Sequence, residues 1–332
     1  MRVLIVLPGA IGDVVRALPL LGRIRRTRPD ARIGWAVEPP SAPLLTSHPW
    51  LDETVIFRRR DGLRAIPPMV RQLRTGRWEF TLDLGRGLKS ALLARVTGAP
   101  VRIAFARGDG REGGWLLATR LLPAQGVDRS KLEQFLAFAE ALGLPAVPIA
   151  FGLEARGEEA AQAEALLSGL RRPVVAACVG SSCPARRWFP GPTADVLNAL
   201  AERARGSAVL LGTGADAAFG AAVARAARGP VRDLIGRTSL RQLAAILARC
   251  SLAFGPDSGA LHLAAAVGTP VVSLWGATSA QRSAPYGWER LALQGVAPCA
   301  PCFLGECPIG RVCMETITPA RVLEKAGEVL AA

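Results

Sequence analysis

Residues Ser251–Gly276 read SLAFGPDSGALHLAAAVGTPVVSLWG, and the fold turns on how this stretch is parsed. The apolar run Ser251–Phe254 closes on Gly255-Pro256, a turn signal. Asp257 stands where a helix N-cap belongs, ahead of Ser258, Gly259 and an Ala/Leu-rich helix running to Val267. Gly268-Thr269-Pro270 stops that helix, and Val271–Leu274 resumes a β-branched run. Strand, helix and strand with tight turns build a parallel sheet and leave the helix N-terminus open beyond the strand's carboxyl end. Unpaired N–H groups and a partial positive charge there suit a phosphate. Ser258 and His262, four apart, share one helix face. An ordinary capped helix carrying one semi-buried histidine fits the same residues.

The chain opens with the same kind of unit. Met1–Leu7 (MRVLIVL) is apolar without alternation, as in a strand buried on both faces. Pro8-Gly9-Ala10-Ile11-Gly12-Asp13 leads into a helical stretch from Val14 to Arg26. Strand, glycine loop and helix begin a doubly wound domain. The loop is not G-x-G-x-x-G, so it does not indicate a dinucleotide site. A carboxylate here stays ionised beside the helix dipole and can accept a proton from a hydroxyl. Asp13 is equally well placed as a plain N-cap. Further strands are expected at Ile33–Val37, Val55–Phe57, Thr81–Leu84, Pro173–Val179 and Ala208–Leu211. Helices are expected at Leu88–Val96, Glu158–Leu170, Thr193–Arg205, Leu240–Cys250 and Thr318–Leu330, the last free to cross back to the first domain. Residues 145–157 break the pattern and mark the crossover between two domains, 1–152 and 153–332.

A chain of 332 residues is long for one core and comfortable for two domains. Half of it is hydrophobic and only 5% aromatic, so the core must be mostly Ala, Leu and Val. The net charge of +14 requires an acidic partner or an anionic surface. Residues 1–150 hold 23 basic and 13 acidic side chains, a net of +10, against 18 and 14, a net of +4, in residues 151–332. The basic residues are almost all Arg with no aromatics interleaved, which argues against nucleic acid. A non-enzymatic polyanion- or RNA-binding protein is still the rival class. No apolar run of about 18 residues offers a transmembrane helix. Val3–Leu7 runs into Pro8-Gly9 and is too short for a secretory leader, and seven Cys then point to a reducing cytoplasm.

Cations gather at strand exits. Arg58-Arg59-Arg60 leaves a strand, as a solvated loop or as a bidentate grip on phosphate or carboxylate. Lys89 sits near a helix N-terminus, an unfavourable place unless an anion is close. Gly180-Ser181-Ser182 and the following CPARRWFP set small hydroxyls and arginines beyond a strand end. That is a second phosphate grip, or a surface loop pinned by Trp188. Cys299, Cys302, Cys307 and Cys313 form C-x2-C-x4-C-x5-C, enough thiols for zinc but not a standard ribbon; free thiols are the other reading.

Three blocks carry a resemblance. D-S-G-x-x-H-x-x-A-A from Asp257, followed by G-x-P-V-V-S-L-x-G, resembles the nucleotide-sugar loop of the ADP-heptose:lipopolysaccharide heptosyltransferases (glycosyltransferase family 9). R-V-L-I-V-x-x-x-x-I-G-D-V-V-x-A-L-P-x-L from Arg2 resembles the opening of that family, heptosyltransferase I most of all. LDLGRGLKSALLAR from Leu82 resembles its L-D-x-Q-G-L-L-K-S-A-L segment. The resemblance implies an α/β fold of GT-B type, two facing Rossmann-like domains with parallel sheets and a cleft between them. It implies an inverting transferase with ADP-heptose on the second domain and the lipopolysaccharide inner core on the first.

The resemblance also implies roles, residue by residue. Asp13 matches the proposed catalytic base. Asp257, Ser258, Gly259 and His262 match the pyrophosphate grip, with Ser181 and Ser182. Arg186 stands where the family has a Lys that meets the leaving diphosphate. Asp216, usually Glu, matches a ribose contact, and Thr238 a contact under the adenine. Arg58, Arg59, Arg60, Lys89 and Arg111 would face the sugar-acid acceptor, Arg111-Glu112 resembling the family's Arg-Glu pair. No cofactor and no metal are expected, since fixed donors replace the divalent ion of other transferases and no Asp-x-Asp occurs. The acceptor implied is an anionic, Kdo-bearing lipid A, which places the protein at the cytoplasmic face of the inner membrane.

Overall fold

A computed structural model describes residues 1–58, 66–126, 129–229 and 231–330. Contacts divide the chain into Met1–Gly152 and Leu153–Ala332. In the first unit the elements run β1 (Arg2–Val6), α1 (Ile11–Thr27), β2 (Arg32–Val37), β3 (Glu53–Ile56) and α2 (Ile66–Thr75). They continue with β4 (Phe80–Asp83), α3 (Leu88–Val96), β5 (Val101–Ala104), β6 (Arg120–Leu121) and α4 (Lys131–Ala141). Six parallel strands lie in the order β3-β2-β1-β4-β5-β6. Val3, Leu4, Ile5 and Val6 of β1 are wholly buried, as expected for a central strand covered on both faces. Gly34 in β2 leaves room for the Trp78 ring; a Cβ there would come within 2.5 Å of it. The segment leading out of this unit is pinned to it. Arg23 and Arg26 of α1 donate to the carbonyls of Pro145 and Pro148, both at 2.8 Å, and the His48 ring hydrogen-bonds the Phe151 carbonyl at 3.0 Å.

The second unit repeats the plan. It contains α5 (Gly157–Leu167), β7 (Val174–Cys178), α6 (Pro190–Ala204), β8 (Ser207–Leu211), α7 (Ala217–Ala226) and β9 (Val231–Asp233). Then come α8 (Leu240–Leu247), β10 (Leu252–Pro256), α9 (Gly259–Ala266), β11 (Val271–Trp275) and α10 (Ala280–Ser283). β12 (Leu293–Gln294), α11 (Val312–Glu315) and α12 (Pro319–Leu330) finish it. The strand order β12-β11-β10-β7-β8-β9 is again parallel throughout and doubly wound. The closing helix, expected to be free to cross back, packs on α6, β10 and β11 of its own unit.

One boundary at the decisive stretch differs from the expectation. Gly255 and Pro256 do not turn the chain; they stay in β10, in register with Ser273 and Leu274. The N-cap of α9 is therefore Ser258 and not Asp257. Pairing along a buried parallel strand outweighs the local turn preference of Gly-Pro, and a Pro next to a strand end loses no ladder bond it needs.

Candidate active site

In a doubly wound sheet, ligands bind beyond the carboxyl ends of the strands where the winding reverses. Those points lie between β1 and β4 in the first unit and between β7 and β10 in the second. Most of the candidate residues lie on the loops or the opening helical turns that follow these four strands.

At the first point Ala10 is the N-cap of α1, without a side-chain bond, and Asp13 lies in the helix's first turn. Asp13 is thus not a capping residue. Its Oδ1 accepts from Arg16 Nη2 at 2.6 Å and from Lys131 Nζ at 3.0 Å. Arg16 is one turn on; Lys131 opens α4, whose start is fixed by a capping box between Ser130 and Glu133. Burial would raise the Asp13 carboxyl, but Arg16 and Lys131 outweigh it and hold the group well below the usual carboxylate range. Beside this loop, Asp83 ends β4 in register with Val6. Burial pushes its carboxyl up to about 6, against the Ser90 hydroxyl and the Gly85 amide that hydrogen-bond it.

Lys89 finds its anion within the unit. Its ammonium pairs with Glu38, at the exit of β2, and lies 5.1 Å from the Phe57 ring centre. Arg111 is exposed, and its backbone N–H donates to the Arg86 carbonyl at 2.6 Å, which sets it beside the loop after β4. Arg58 is exposed beyond β3, the outermost strand, two strands away from β1. Arg59 and Arg60 lie outside the described residues.

At the second point the loops after β7 and β10 interlock. Ser181 Oγ donates to the Asp257 carbonyl at 3.0 Å, while Ser182 is exposed. Arg186 Nη1 lies 3.1 Å from Asp257 Oδ2, which also accepts from Thr278 Oγ1 at 2.8 Å. Arg187 reaches Asp216 Oδ1 at 3.0 Å. The other oxygen of Asp216 accepts from the Thr213 amide at 2.9 Å and its hydroxyl at 2.8 Å, and the residue is only 3% exposed. Asp216, expected to reach a ribose, spends its carboxylate inside the protein in this structure. Thr238, half-buried, follows β9, and the neighbouring Gly236 amide donates to the Gly212 carbonyl at 3.0 Å, so its loop lies against that of Asp216.

The N-terminus of α9 leaves a buried hydroxyl unsatisfied. Ser258 makes no side-chain cap bond, and its Oγ is buried with no hydrogen-bond partner among the described residues. Gly259 starts the helix and the buried His262 follows in its first turn. A buried hydroxyl without a partner costs about 1–3 kcal/mol, and one that faces free helical N–H groups fits an anion.

A family model described as glycosyltransferase family 9 (heptosyltransferase) matches residues 68–312. The chain belongs to that family. Two six-stranded Rossmann-like sheets in one such chain are the GT-B architecture. Lipopolysaccharide heptosyltransferase 1 of Pseudomonas aeruginosa is 28% identical, over 92% of this chain and 87% of its own length. The core heptosyltransferase OpsX of Haemophilus influenzae is 25% identical, over 83% and 79%. The solved structure of Escherichia coli ADP-heptose lipopolysaccharide heptosyltransferase II matches with a TM-score of 0.79 at 25% identity, covering 100% of this chain and 99% of that one.

In this family 9 glycosyltransferase the sequence does not point to three residues that reach the carboxylates at the two switch points: Arg16, Lys131 and Thr278. Lys131 had a signal, since Ser130-x-x-Glu133 marks a helix start and a Lys at its first position is as unfavourable as Lys89. The others had none, because only the folded loops decide which carboxylate each one meets. Among the described residues no cluster of three or more His, Cys, Asp or Glu side chains could hold an ion. Cys313 is buried against Gly276, and Cys307 Sγ accepts the Arg311 N–H at 3.1 Å.

Proposed function

We propose that this enzyme transfers a heptose from ADP-heptose to the Kdo-bearing inner core of lipopolysaccharide, with inversion at the anomeric carbon. The observation that carries the donor half is the α9 N-terminus, where the buried Ser258 hydroxyl has no partner and Gly259 and His262 share the first turn. A diphosphate would take that hydroxyl and the free amides, with Ser181 and Ser182 across the loop. The names of relatives, which specify lipopolysaccharide and, for one solved structure, ADP-heptose, support the same reading.

Asp13 receives the proton of the acceptor hydroxyl as its oxygen bonds to the anomeric carbon. The bond from that carbon to the β-phosphate oxygen breaks, and the electron pair leaves with ADP. Held low by Arg16 and Lys131, Asp13 is ionised at any working pH but weakly basic. Proton transfer therefore accompanies formation of the new C–O bond and does not precede it. Arg186 stabilises the departing diphosphate after exchanging Asp257 for phosphate oxygens. No cofactor or divalent ion takes part. Lys89, Arg111 and the Arg58–Arg60 segment meet the acidic acceptor, which is borne on the inner leaflet.

Mass-detected transfer with ADP-heptose and Kdo2-lipid A, in the presence of a chelator, tests this. One heptose added and the inverted anomer by NMR are expected; a retained anomer, or no product while another ADP-sugar is consumed, would replace it. Stabilisation by ADP but not by RNA separates the transferase from a polyanion-binding protein.

A further inference from the structure

The first unit exposes three leucines on one small surface. Leu88 and Leu92 stand one turn apart on α3, 41% and 50% exposed, and Leu116 on the 3₁₀ turn Gly114–Leu117 is 77% exposed. The two segments lie side by side: the Leu88 amide donates to Glu112 at 3.1 Å, and a Cβ on Gly114 would sit 2.9 Å from the Gly87 carbonyl and 3.4 Å from Ala91. Single exposed leucines are ordinary, but three on adjoining turns are a patch.

Around it positive charge predominates. Residues 86–120 hold seven basic and two acidic side chains, a net of +5. Arg95, Arg107 and Arg111 are exposed there. Of the two acids, Glu112 is exposed and accepts from the Leu88 amide, while the half-buried Asp109 accepts from the Gln125 amide at 2.8 Å. Apolar side chains rimmed by arginines match a bilayer whose surface is anionic. No helix among the described residues is long and apolar enough to cross a membrane.

We infer that the Leu88–Leu92–Leu116 patch with its arginine rim is the face by which this enzyme rests on an anionic lipid bilayer. The inference builds on the reading of a lipid-borne acceptor and names the surface that meets the membrane. The leucines enter the headgroup boundary while Arg95 and Arg107 meet lipid phosphates, beside Lys89 in the first turn of α3.

The test is flotation of the full chain with vesicles of phosphatidylethanolamine and phosphatidylglycerol, against phosphatidylcholine alone. Wild type should float with the anionic vesicles and be released by salt. Leu92→Glu/Leu116→Glu should float at least about tenfold less, since each leucine withdrawn from water is worth roughly that factor. The double variant should keep its turnover on a deacylated, water-soluble acceptor, so loss of flotation is separable from loss of transferase chemistry. Trp115, half-buried on the turn that carries Leu116, is the reporter: brominated lipids should quench wild-type fluorescence, and Trp115→Phe should abolish that quench. The assignment is overturned by equal binding to neutral vesicles, by unchanged flotation of the double variant, or by a quench that survives in Trp115→Phe. A concentration-dependent dimer lost in the double variant, with no vesicle binding, would overturn it in favour of a second copy of the chain.

Discussion

Asp13 is clamped by two cations of different origin, Arg16 from its own helix and Lys131 from α4, and this sets distinct costs for removing each partner. Asp13→Asn keeps the shape but cannot take a proton, so turnover should fall about 10²–10⁴-fold with donor affinity nearly unchanged. Lys131→Met should cost less, because Arg16 still holds the carboxylate. Its diagnostic is the Asp13 carboxyl resonance, which should titrate at higher pH than in wild type; an unmoved resonance would remove Lys131 from the clamp. Asp83 shows the opposite balance. Its pKa is raised from 3.8 to about 6, so between these values the folded chain binds more protons than the unfolded one. Stability then falls as pH rises through that window, by up to about 3 kcal/mol for the two-unit shift. Asp83→Asn should melt higher than wild type at pH 7.5, with the gain shrinking towards zero by pH 4. A difference that stays constant over that range would mean burial is not what moves the carboxyl.

Among the elements, β10 with α9 positions the proposed donor loop, and Gly255 lets β10 lie against β7. A Cβ there would stand 2.1 Å from the Cys178 carbonyl oxygen, at a φ of +154° that side-chain-bearing residues avoid. Gly255→Ala should destabilise the fold by roughly 1–3 kcal/mol, read by urea unfolding, and weaken ADP binding by displacing Asp257 and Ser258. This element was legible in its composition: an apolar run, a small-residue helix and a Gly-Thr-Pro stop mark β10, α9 and β11, and MRVLIVL marks β1. The short elements were not. β5 spans four residues and β6 two, too few to show a period, and α2 has Pro67-Pro68 in its first turn. The local geometry was legible where it depends on neighbours in sequence: an Asp at the start of α1 and a Ser at the start of α9. It was not where a partner comes from afar: Lys131 and Asp13 are 118 positions apart, and no spacing rule joins them. Nor could the sequence tell which of two adjacent arginines takes Asp257 and which takes Asp216, because the 3₁₀ turn Pro184–Arg186 decides it.

Across the whole molecule the charge separates along with the two units, a net +10 before residue 151 and +4 after it, so the two substrates should be told apart by salt. A cationic first unit attracts an acidic acceptor over long range, an interaction that ions screen. The proposed donor grip is instead short-range and partly buried, at Ser181, Asp257 and the α9 N-terminus, and salt should touch it less. Binding to the native second unit alone raises its unfolding free energy by about 2.7 kcal/mol at a hundred times the Kd. ADP should therefore slow hydrogen exchange in peptides from Leu153–Ala332, most of all in β7, β10 and the start of α9, and leave β1, α1 and α4 at their unliganded rates. Raising ionic strength from 0.05 to about 0.5 M, where the Debye length shrinks several-fold, should raise the KM for the acceptor far more than that for the donor. Protection centred on residues 1–152, or equal salt sensitivity of both KM values, would mean that the nucleotide is held by the basic unit and that the donor and acceptor assignments must be exchanged.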